Sequence, residues 1–206
     1  MQWIQNSDNV ERLFHVDLFG NENFYDVAVY TSNKSVVIEC EASELNQHHA
    51  MPLARITLKK VKADEERSEY LHNAADAIRD LTGFDRVMVY QFHHDDSGEV
   101  MAESLNEGAD SFMGLRFPAS DIPKQARELY LRSVLRIIAD VDAQPVNIYP
   151  ARSIDGQILD LSLSMVRSVS PMHIEYLKNM GIKASISIII DGKLWCLFAC
   201  HHMSPR

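Results

Sequence analysis

The sequence predicts an α+β domain in which helices flank a central antiparallel sheet. Alternating apolar strands recur as sequential hairpins, at residues 86–103 and 183–202. Apolar residues at three- to four-residue spacing predict a helix at residues 63–81. Ser170 and Pro171 at one end and Gly181 at the other predict a helix at residues 171–180. A sheet of sequential hairpins with helices on its faces is typical of the α+β class.

The composition excludes several classes of function. The chain has 206 residues, is 46% hydrophobic and carries a net charge of −9, so we expect no nucleic-acid or anionic-membrane surface. No apolar run reaches the roughly 18–20 residues of a membrane span, and the first residues lack the regions of a signal peptide. Cys40, Cys196 and Cys200 have no Cys-x-x-Cys spacing, which favours a reduced, cytoplasmic protein.

The first part of the chain is predicted to form strands without a helix. Residues 13–19, 24–30 and 35–40 alternate in polarity and are separated by turn residues. Three strands alone bury little apolar surface, so we expect them to complete a sheet that begins elsewhere. Residues 43–62 follow as a linker.

Two strands follow the first helix. Residues 86–92 and 99–103 alternate, and the polar turn between them begins with His93 and His94. Adjacent histidines suggest either a metal site or a solvated turn. Because no carboxylate lies at a recognisable ligand spacing, the solvated turn is favoured.

The stretch 116–123 places two prolines around a short acidic turn ahead of a helical run. Pro123 suits the first turn of a helix, which makes Ile122 the last residue before it. Asp121 then lies on a fixed bend. Its carboxylate and carbonyl either point into a cleft, or Ser120 or Asp121 caps the helix.

The helix at residues 171–180 carries an amphipathic stripe. Ser170 is its expected N-cap and Pro171 its first residue. His173 and Tyr176 lie one turn apart and present aromatic rings with hydrogen-bonding tips. This stripe is a candidate lining for a ligand pocket.

Ser185 and Ser187 share one face of an otherwise aliphatic strand. That face is either exposed to water or lines a pocket in which a ligand satisfies the hydroxyls. A two-residue turn in the last hairpin pairs Ser187 with Cys196 and puts His201 on the opposite face. A three-residue turn pairs Ser187 with Trp195 and puts His201 on the serine face, which the pocket requires.

Two arginines are candidates to bind an acidic ligand. Arg136 follows the acidic turn and its helix, and Arg167 precedes the helix of His173. The planar guanidinium group binds carboxylates through two hydrogen bonds. The alternative is surface ion pairing with the many acidic residues.

Three segments carry a resemblance to a known family. Residues 116–123, 167–181 and 194–202 read RFPASDIP, RSVSPMHIEYLKNMG and LWCLFACHH. In this order and spacing they resemble the GAF domain of bacterial phytochromes. The resemblance covers residues 62–206 almost end to end.

The resemblance extends to the domain organisation. The strands at the start are similar to the closing strands of the PAS domain that precedes the GAF domain in phytochromes. We therefore interpret residues 1–42 as an incomplete PAS domain, 43–62 as a linker and 63–206 as the GAF domain.

The resemblance implies that the domain binds biliverdin, a linear tetrapyrrole, and senses red and far-red light through Z/E isomerisation at its D-ring. The Asp121 carbonyl would accept hydrogen bonds from the pyrrole N–H groups, His173 would order a water beside them, and His201 would bond the D-ring carbonyl. Arg136 and Arg167 would pair with one propionate. The other implied site residues are Ser185 and Ser187 at the second propionate, Tyr90, Phe117, Tyr130 and Tyr176 around the D-ring, and Met88, Ile122 and Ser170.

The resemblance also indicates how the pigment is held. Bacterial phytochromes attach biliverdin to a cysteine before the PAS domain, and other phytochromes use a GAF cysteine where this sequence has Met172. Cys196 and Cys200 match neither position, so we expect non-covalent binding and inert thiols. The family further implies a PHY domain, an output domain such as a histidine kinase, a homodimeric parent, and a sensor that turns over no substrate.

Two other hypotheses remain open at this stage. A GAF module that binds a cyclic nucleotide, or only dimerises, would be favoured by loss of Asp121, His173 or His201, all of which are present. An enzyme using His201 and His202 with a metal is disfavoured, because adjacent strand residues point to opposite faces.

Overall fold

The computed structural model describes residues 10–33, 35–43, 67–133, 135–153, 155–190 and 195–206. Contacts divide the chain into two units, of which the first combines the described residues up to 49 with the segment 144–167. The second combines the described residues of 50–143 and 168–206. Most of the predicted linker at 43–62 lies outside the described residues.

The first unit contains the predicted sheet of three antiparallel strands. The strands are β1 (Glu11–Asp17), β2 (Phe24–Ser32) and β3 (Ser35–Ala42), in the order β1-β2-β3. Because side chains alternate along β2, Ala28 and Tyr30 are buried on one face. Val36 and Ile38 of β3 belong to the other face and are 54% and 61% exposed.

Polar contacts join this sheet to the second part of the same unit. The Ser32 hydroxyl donates a 2.7 Å hydrogen bond to the carbonyl of Asp160. One oxygen of Glu39 accepts the N–H of Met165 at 3.3 Å, and the other accepts the Tyr30 hydroxyl at 3.2 Å. Burial, together with the charge of Glu39, raises the pKa of Tyr30 to about 12.

The second unit is a six-stranded sheet with three helices among the described residues. The strand order is β6-β5-β4-β9-β8-β7, and every pair of neighbours is antiparallel. The elements are α1 (Arg67–Thr82), β4 (Arg86–Phe92), β5 (Gly98–Leu105), β6 (Arg116–Phe117), α2 (Lys124–Arg132), β7 (Leu135–Ile138), α3 (Pro171–Asn179), β8 (Ala184–Ile190) and β9 (Cys196–His202).

One face of this sheet packs under α1. Leu71 and Ala75 recur at four-residue spacing along the helix and belong to the same buried cluster as Val87 and Phe198 of the sheet. The side chains that alternate with these strand residues point to the other face. The helix is therefore confirmed, but the stripe from which it was predicted, Tyr70, Ala74, Ile78 and Leu81, is not its buried stripe. Tyr70 is 42% exposed, and Ala74 and Ile78 are only partly buried.

The opposite face positions the candidate site. Met88 and Tyr90 of β4 and Leu197 of β9 form a second buried cluster there, which Tyr130 of α2 joins. We call this face of the six-stranded sheet the site face. Beside it, α3 buries Leu177 and partly buries Ile174 in a third cluster, which leaves His173 and Tyr176 on its other side.

The start of α2 differs from the prediction. Pro123 occupies the N-cap position with ψ 154°, and no side chain caps the helix. The proposed capping by Ser120 or Asp121 is wrong, because an N-cap must come directly before the first helical residue. Sequence reasoning also missed β6, since two residues are too few to show alternation.

None of the helices in the described part of the chain has the length and apolarity needed to cross a membrane.

Candidate functional site

The register of the last hairpin places His201 on the site face with the serines. Ser185 pairs directly with His201, and Ser187 pairs with Ala199, so neither of the two expected partners of Ser187 is correct. Ile190 still pairs with Cys196, which requires a longer connection than either predicted turn. Ser185 is 5% exposed, so the water-facing alternative is wrong for it.

His201 is a buried polar group with an unused ring nitrogen. It is 6% exposed, and its Nδ1 has no hydrogen-bond partner among the described residues. Burial lowers the pKa of His201 to about 3, with smaller contributions from Arg86 and His173. The ring is therefore uncharged at neutral pH and presents an unsatisfied atom to the site, an arrangement that fits a ligand.

His173 and Tyr176 form the predicted stripe on α3. Their ring centroids lie 6.3 Å apart with an interplanar angle of 21°. Burial, with the positive charge of Arg136, lowers the pKa of His173 to about 4. Arg136 of β7 pairs in the sheet with Ser187, and its Nε lacks a hydrogen-bond partner in the described residues.

Aromatic and apolar side chains fill the centre of the site face. Tyr90 lies 5.9 Å from Phe117, measured between ring centroids. Tyr130 and Met88 are buried in the same cluster, and Ile122 packs against it. Burial raises the pKa of Tyr90. Tyr90, Phe117 and Tyr130 of the predicted aromatic set therefore lie in one cluster.

Arg127 of α2 contacts the turn that carries Asp121 and Ile122. Nη1 of Arg127 donates to the Ile122 carbonyl at 3.0 Å, and Nη2 contacts the Asp96 carboxylate at 2.9 Å. The Asp121 carboxylate faces Tyr90 and Tyr176 closely enough to contribute to raising the pKa of each, after burial as the larger cause.

Comparison with known proteins identifies the family to which the chain belongs. Residues 66–206 match the family model described as GAF domain. The chain belongs to the GAF domain family. It is 46% identical over 191 residues to the bacteriophytochrome of Pseudomonas aeruginosa, which covers 90% of the chain and 26% of that protein.

Other phytochromes are also similar to this GAF domain. Cyanobacterial phytochrome B of Nostoc is 44% identical, covering 88% of the chain and 25% of that protein. The bacteriophytochrome of Xanthomonas campestris is 44% identical, covering 79% of the chain and 26% of that protein. The chain thus spans about a quarter of the length of these curated relatives, and it contains a phytochrome GAF region.

The structure also shows the location or burial of four other residues discussed for the sequence, Arg167, Ser170, Met172 and Cys200. Arg167 belongs to the first unit. Ser170 occupies the N-cap of α3, as predicted, but its side chain makes no capping bond. Met172 is 80% exposed. Burial raises the pKa of Cys200 to about 12, which agrees with an inert thiol.

The GAF domain also contains a buried ion pair that sequence reasoning missed. Arg86 Nε lies 3.0 Å from Oε1 of Glu103, and the two side chains are 4% and 2% exposed. Glu103 Oε2 also accepts the Ser111 hydroxyl at 2.7 Å and the Phe112 N–H at 3.0 Å. In the sequence, such a pair is indicated by the basic Arg86 and the acidic Glu103, which lie on strands that are otherwise largely apolar.

The histidine pairs provide no metal centre in the described residues. There, no three His, Cys, Asp or Glu side chains are grouped to hold an ion. Instead, His93 contacts Glu99 at 3.0 Å and His202 contacts Asp85 at 2.6 Å. His201 and His202 point to opposite faces, as expected for neighbours on a strand.

The buried histidine makes the stability of the GAF domain depend on pH. The pKa of His201 is about 3 in the folded chain against an ordinary 6.5, so between these values only the unfolded chain binds the proton. Stability is therefore lost as the pH falls below 6.5. From His201 alone we expect a loss of about 2 kcal/mol between pH 6.5 and about 5, measured by urea unfolding at each pH.

The substitution His201→Gln should remove this component of the pH dependence. The matched control is His72→Gln, because the side chain of His72 is 58% exposed. The control should retain the wild-type loss of stability toward acid. An undiminished loss in His201→Gln would contradict the assignment.

Proposed function

We propose that this chain is the bilin-binding part of a red/far-red photoreceptor. The observation that carries the proposal is the unpaired Nδ1 of buried His201 beside the aromatic cluster of the site face. A buried polar atom without a partner costs about 1–3 kcal/mol, and a ligand with a carbonyl or N–H group removes that cost. The similarity to phytochromes supports a bilin as this ligand.

The chemistry of the residues on the site face supports such a ligand. A linear tetrapyrrole is a conjugated, largely apolar molecule that carries two propionates. Met88, Tyr90 and Tyr130 offer apolar and aromatic surface, and Arg136 offers a guanidinium Nε without a partner in the described residues. The positive charge of Arg136 therefore suits the propionates, and the apolar surface suits the conjugated part of the ligand.

Each residue has a role in the proposal. Neutral His201 hydrogen-bonds the D-ring carbonyl, and neutral His173 orders water beside the pyrrole nitrogens, where the Asp121 carbonyl accepts their N–H groups. Arg136 and Arg167 pair with one propionate. The remaining contacts come from Ser185, Ser187, Ser170, Ile122, Phe117 and Tyr176.

When bound, the pigment supplies light absorption and the rotation of its D-ring. The protein supplies hydrogen bonds that differ before and after that rotation. This difference in free energy biases a bistable element of the protein. Tyr90, Phe117 and Tyr176 shape the space in which the ring moves.

The finer parts of the proposal concern the pigment and the parent protein. Biliverdin is the proposed bilin, and its binding to this chain is non-covalent, because Met172 occupies the GAF attachment position and the thiols of Cys196 and Cys200 are buried. We place residues 1–42 in a PAS domain, residues 43–62 in a linker and 63–206 in the GAF domain. The parent is a cytoplasmic homodimer that relays the signal through a PHY domain to an output such as a histidine kinase.

An absorption spectrum tests the proposal directly. The purified chain is mixed with biliverdin and measured before and after red light, then after denaturation. A sharpened red band that changes with light is expected, and the pigment should separate from the denatured chain. A spectrum identical to that of free biliverdin would overturn the proposal, and pigment retained after denaturation would contradict non-covalent binding.

Two substitutions separate the proposed roles. His201→Gln should mainly reduce light-induced conversion, because it changes the partner of the rotating ring. Arg167→Ala should mainly weaken pigment uptake by about tenfold, the effect of losing roughly 1.4 kcal/mol from one ion pair. Titration with biliverdin and conversion yield are measured for both variants, and equal effects on both properties would contradict this division.

A further inference from the structure

The buried pair of Arg86 and Glu103 takes no part in the roles proposed above. The two residues are 3% and 4% exposed. Nε of Arg86 contacts Glu103 at 3.0 Å, and the guanidinium carbon lies 4.0 Å from the centre of the Phe112 ring. Burying two charges is expensive, and apolar residues of similar volume are often as stable. Stability alone therefore does not account for the burial of Arg86 and Glu103.

The pairing of the strands shows which residue of the ion pair lies closer to His201. Arg86 pairs directly with His201 across β4 and β9. Glu103 lies on β5, on the other side of β4, where it pairs with Met88. All four side chains belong to the site face, because directly paired residues share a face. The positive end of the ion pair is therefore the end next to His201.

Other polar groups near His201 do not reverse this polarity. Ser185 faces it from β8 and is uncharged. His173 faces it from α3 and, when protonated, disfavours a positive charge on the His201 ring. Arg136 acts in the same sense on His173. Arg86 and His173 therefore both act against protonation of the His201 ring.

We propose that the Arg86–Glu103 pair is a positioning device that keeps His201 uncharged for its ligand. A neutral imidazole has one donor and one acceptor, whereas a protonated ring has two donors and a charge. Burial is the larger cause of the neutral form. Arg86 adds to it, so the hydrogen-bonding pattern of His201 stays constant over a wider pH range. Glu103 balances the charge of Arg86, and Nη2 of Arg86 donates a hydrogen bond to the Asp110 carbonyl. The ligand in this inference is the bilin of the proposed function.

The protonation of His201 is testable without pigment. We would record ring ¹⁵N chemical shifts of the histidines in the pigment-free 206-residue chain from neutral pH to about pH 5, and assign His201 by its loss in His201→Gln. The double variant Arg86→Gln/Glu103→Gln removes both charges while preserving size. A one-unit rise in its ring pKa would increase the protonated fraction at about pH 5 by about tenfold over wild type.

A second variant separates charge from loosened packing. Glu103→Gln alone keeps the charge of Arg86, so its His201 should stay as neutral as in wild type. If loss of Glu103 acted only by loosening the loop that contains Phe112, this variant would show the same rise as the double variant. That result would overturn the inference, as would a double variant that behaves like wild type.

The matched control is an exposed ion pair of the same sheet. Arg116 contacts Asp95 at 2.9 Å, with side chains 53% and 50% exposed. The double variant Arg116→Gln/Asp95→Asn should leave the His201 signals unchanged, and a rise equal to that of the buried pair would overturn the specific role of Arg86. Failure of wild type to bind biliverdin would instead contradict the proposed function alone, because the shifts are measured without pigment.

Discussion

Replacing Glu103 by leucine is expected to lower the free energy of unfolding by about 3–5 kcal/mol. The substitution leaves the guanidinium group of Arg86 buried without a counter-charge, since Arg86 is 3% exposed. It also removes the acceptor of the Ser111 hydroxyl and of the Phe112 N–H. Urea unfolding of the variant and the wild type at one pH measures the difference.

The double variant Arg86→Met/Glu103→Leu should recover most of this loss. Replacing a complete buried ion pair by apolar residues is often neutral, because the cost of burying both charges disappears with the attraction between them. Asp95→Asn, which weakens an exposed pair, should cost far less than Glu103→Leu. A double variant no more stable than Glu103→Leu would contradict this explanation.

Replacing Gly98 by alanine is expected to displace the ring of Tyr90. An added Cβ at position 98 would overlap the end of that ring, and the φ of Gly98 lies outside the left-handed region, so the conflict is with the side chain and not with the backbone. Overpacking of this kind costs about 1–3 kcal/mol. Urea unfolding measures the cost.

A double-mutant cycle identifies the cause. Tyr90→Leu removes the atoms that collide, so Gly98→Ala in that background should cost less than about 0.5 kcal/mol. With biliverdin bound, Gly98→Ala should change the light-induced conversion in the same direction as Tyr90→Leu. A cost that is equal in both backgrounds would show that Tyr90 is not the residue in conflict with the new methyl group.

Local pattern was sufficient for most secondary structure. Alternation predicted β4 at its observed bounds, Arg86–Phe92. Ser170, Pro171 and Gly181 predicted α3 to within one residue at its end. These signals are local, because they depend on periodicity and on the termini of a helix.

Register required information that local pattern does not contain. Both turn lengths considered for the last hairpin were wrong, although Ser185 and His201 share a face as the pocket requires. Side chains alternate with a period of two, so any register shifted by an even number gives the same faces. The residues that face the site were therefore predictable, while their partners were not.

The electrostatics of the site were the least predictable part. Arg86 and His201 are 115 positions apart in number and become neighbours only through the pairing of β4 with β9. The low pKa values of His201 and His173 depend first on burial, which a composition or a motif does not give. The family resemblance identified His173 and His201 as candidate site residues, but their charge states depend on the fold.

The first unit combines two segments that are far apart in the chain, and this affects how it forms during synthesis on the ribosome. Ser32 bonds to Asp160, and these partners are 128 positions apart. At about 5–20 residues per second, the second partner is made on the order of ten seconds after the first. During that interval β1, β2 and β3 have emerged without the segment that binds them, and Tyr30, which is buried in the folded unit, is exposed to other nascent chains. Slower translation would lengthen this interval, so the yield of folded chain should depend on the rate of translation between residues 43 and 160.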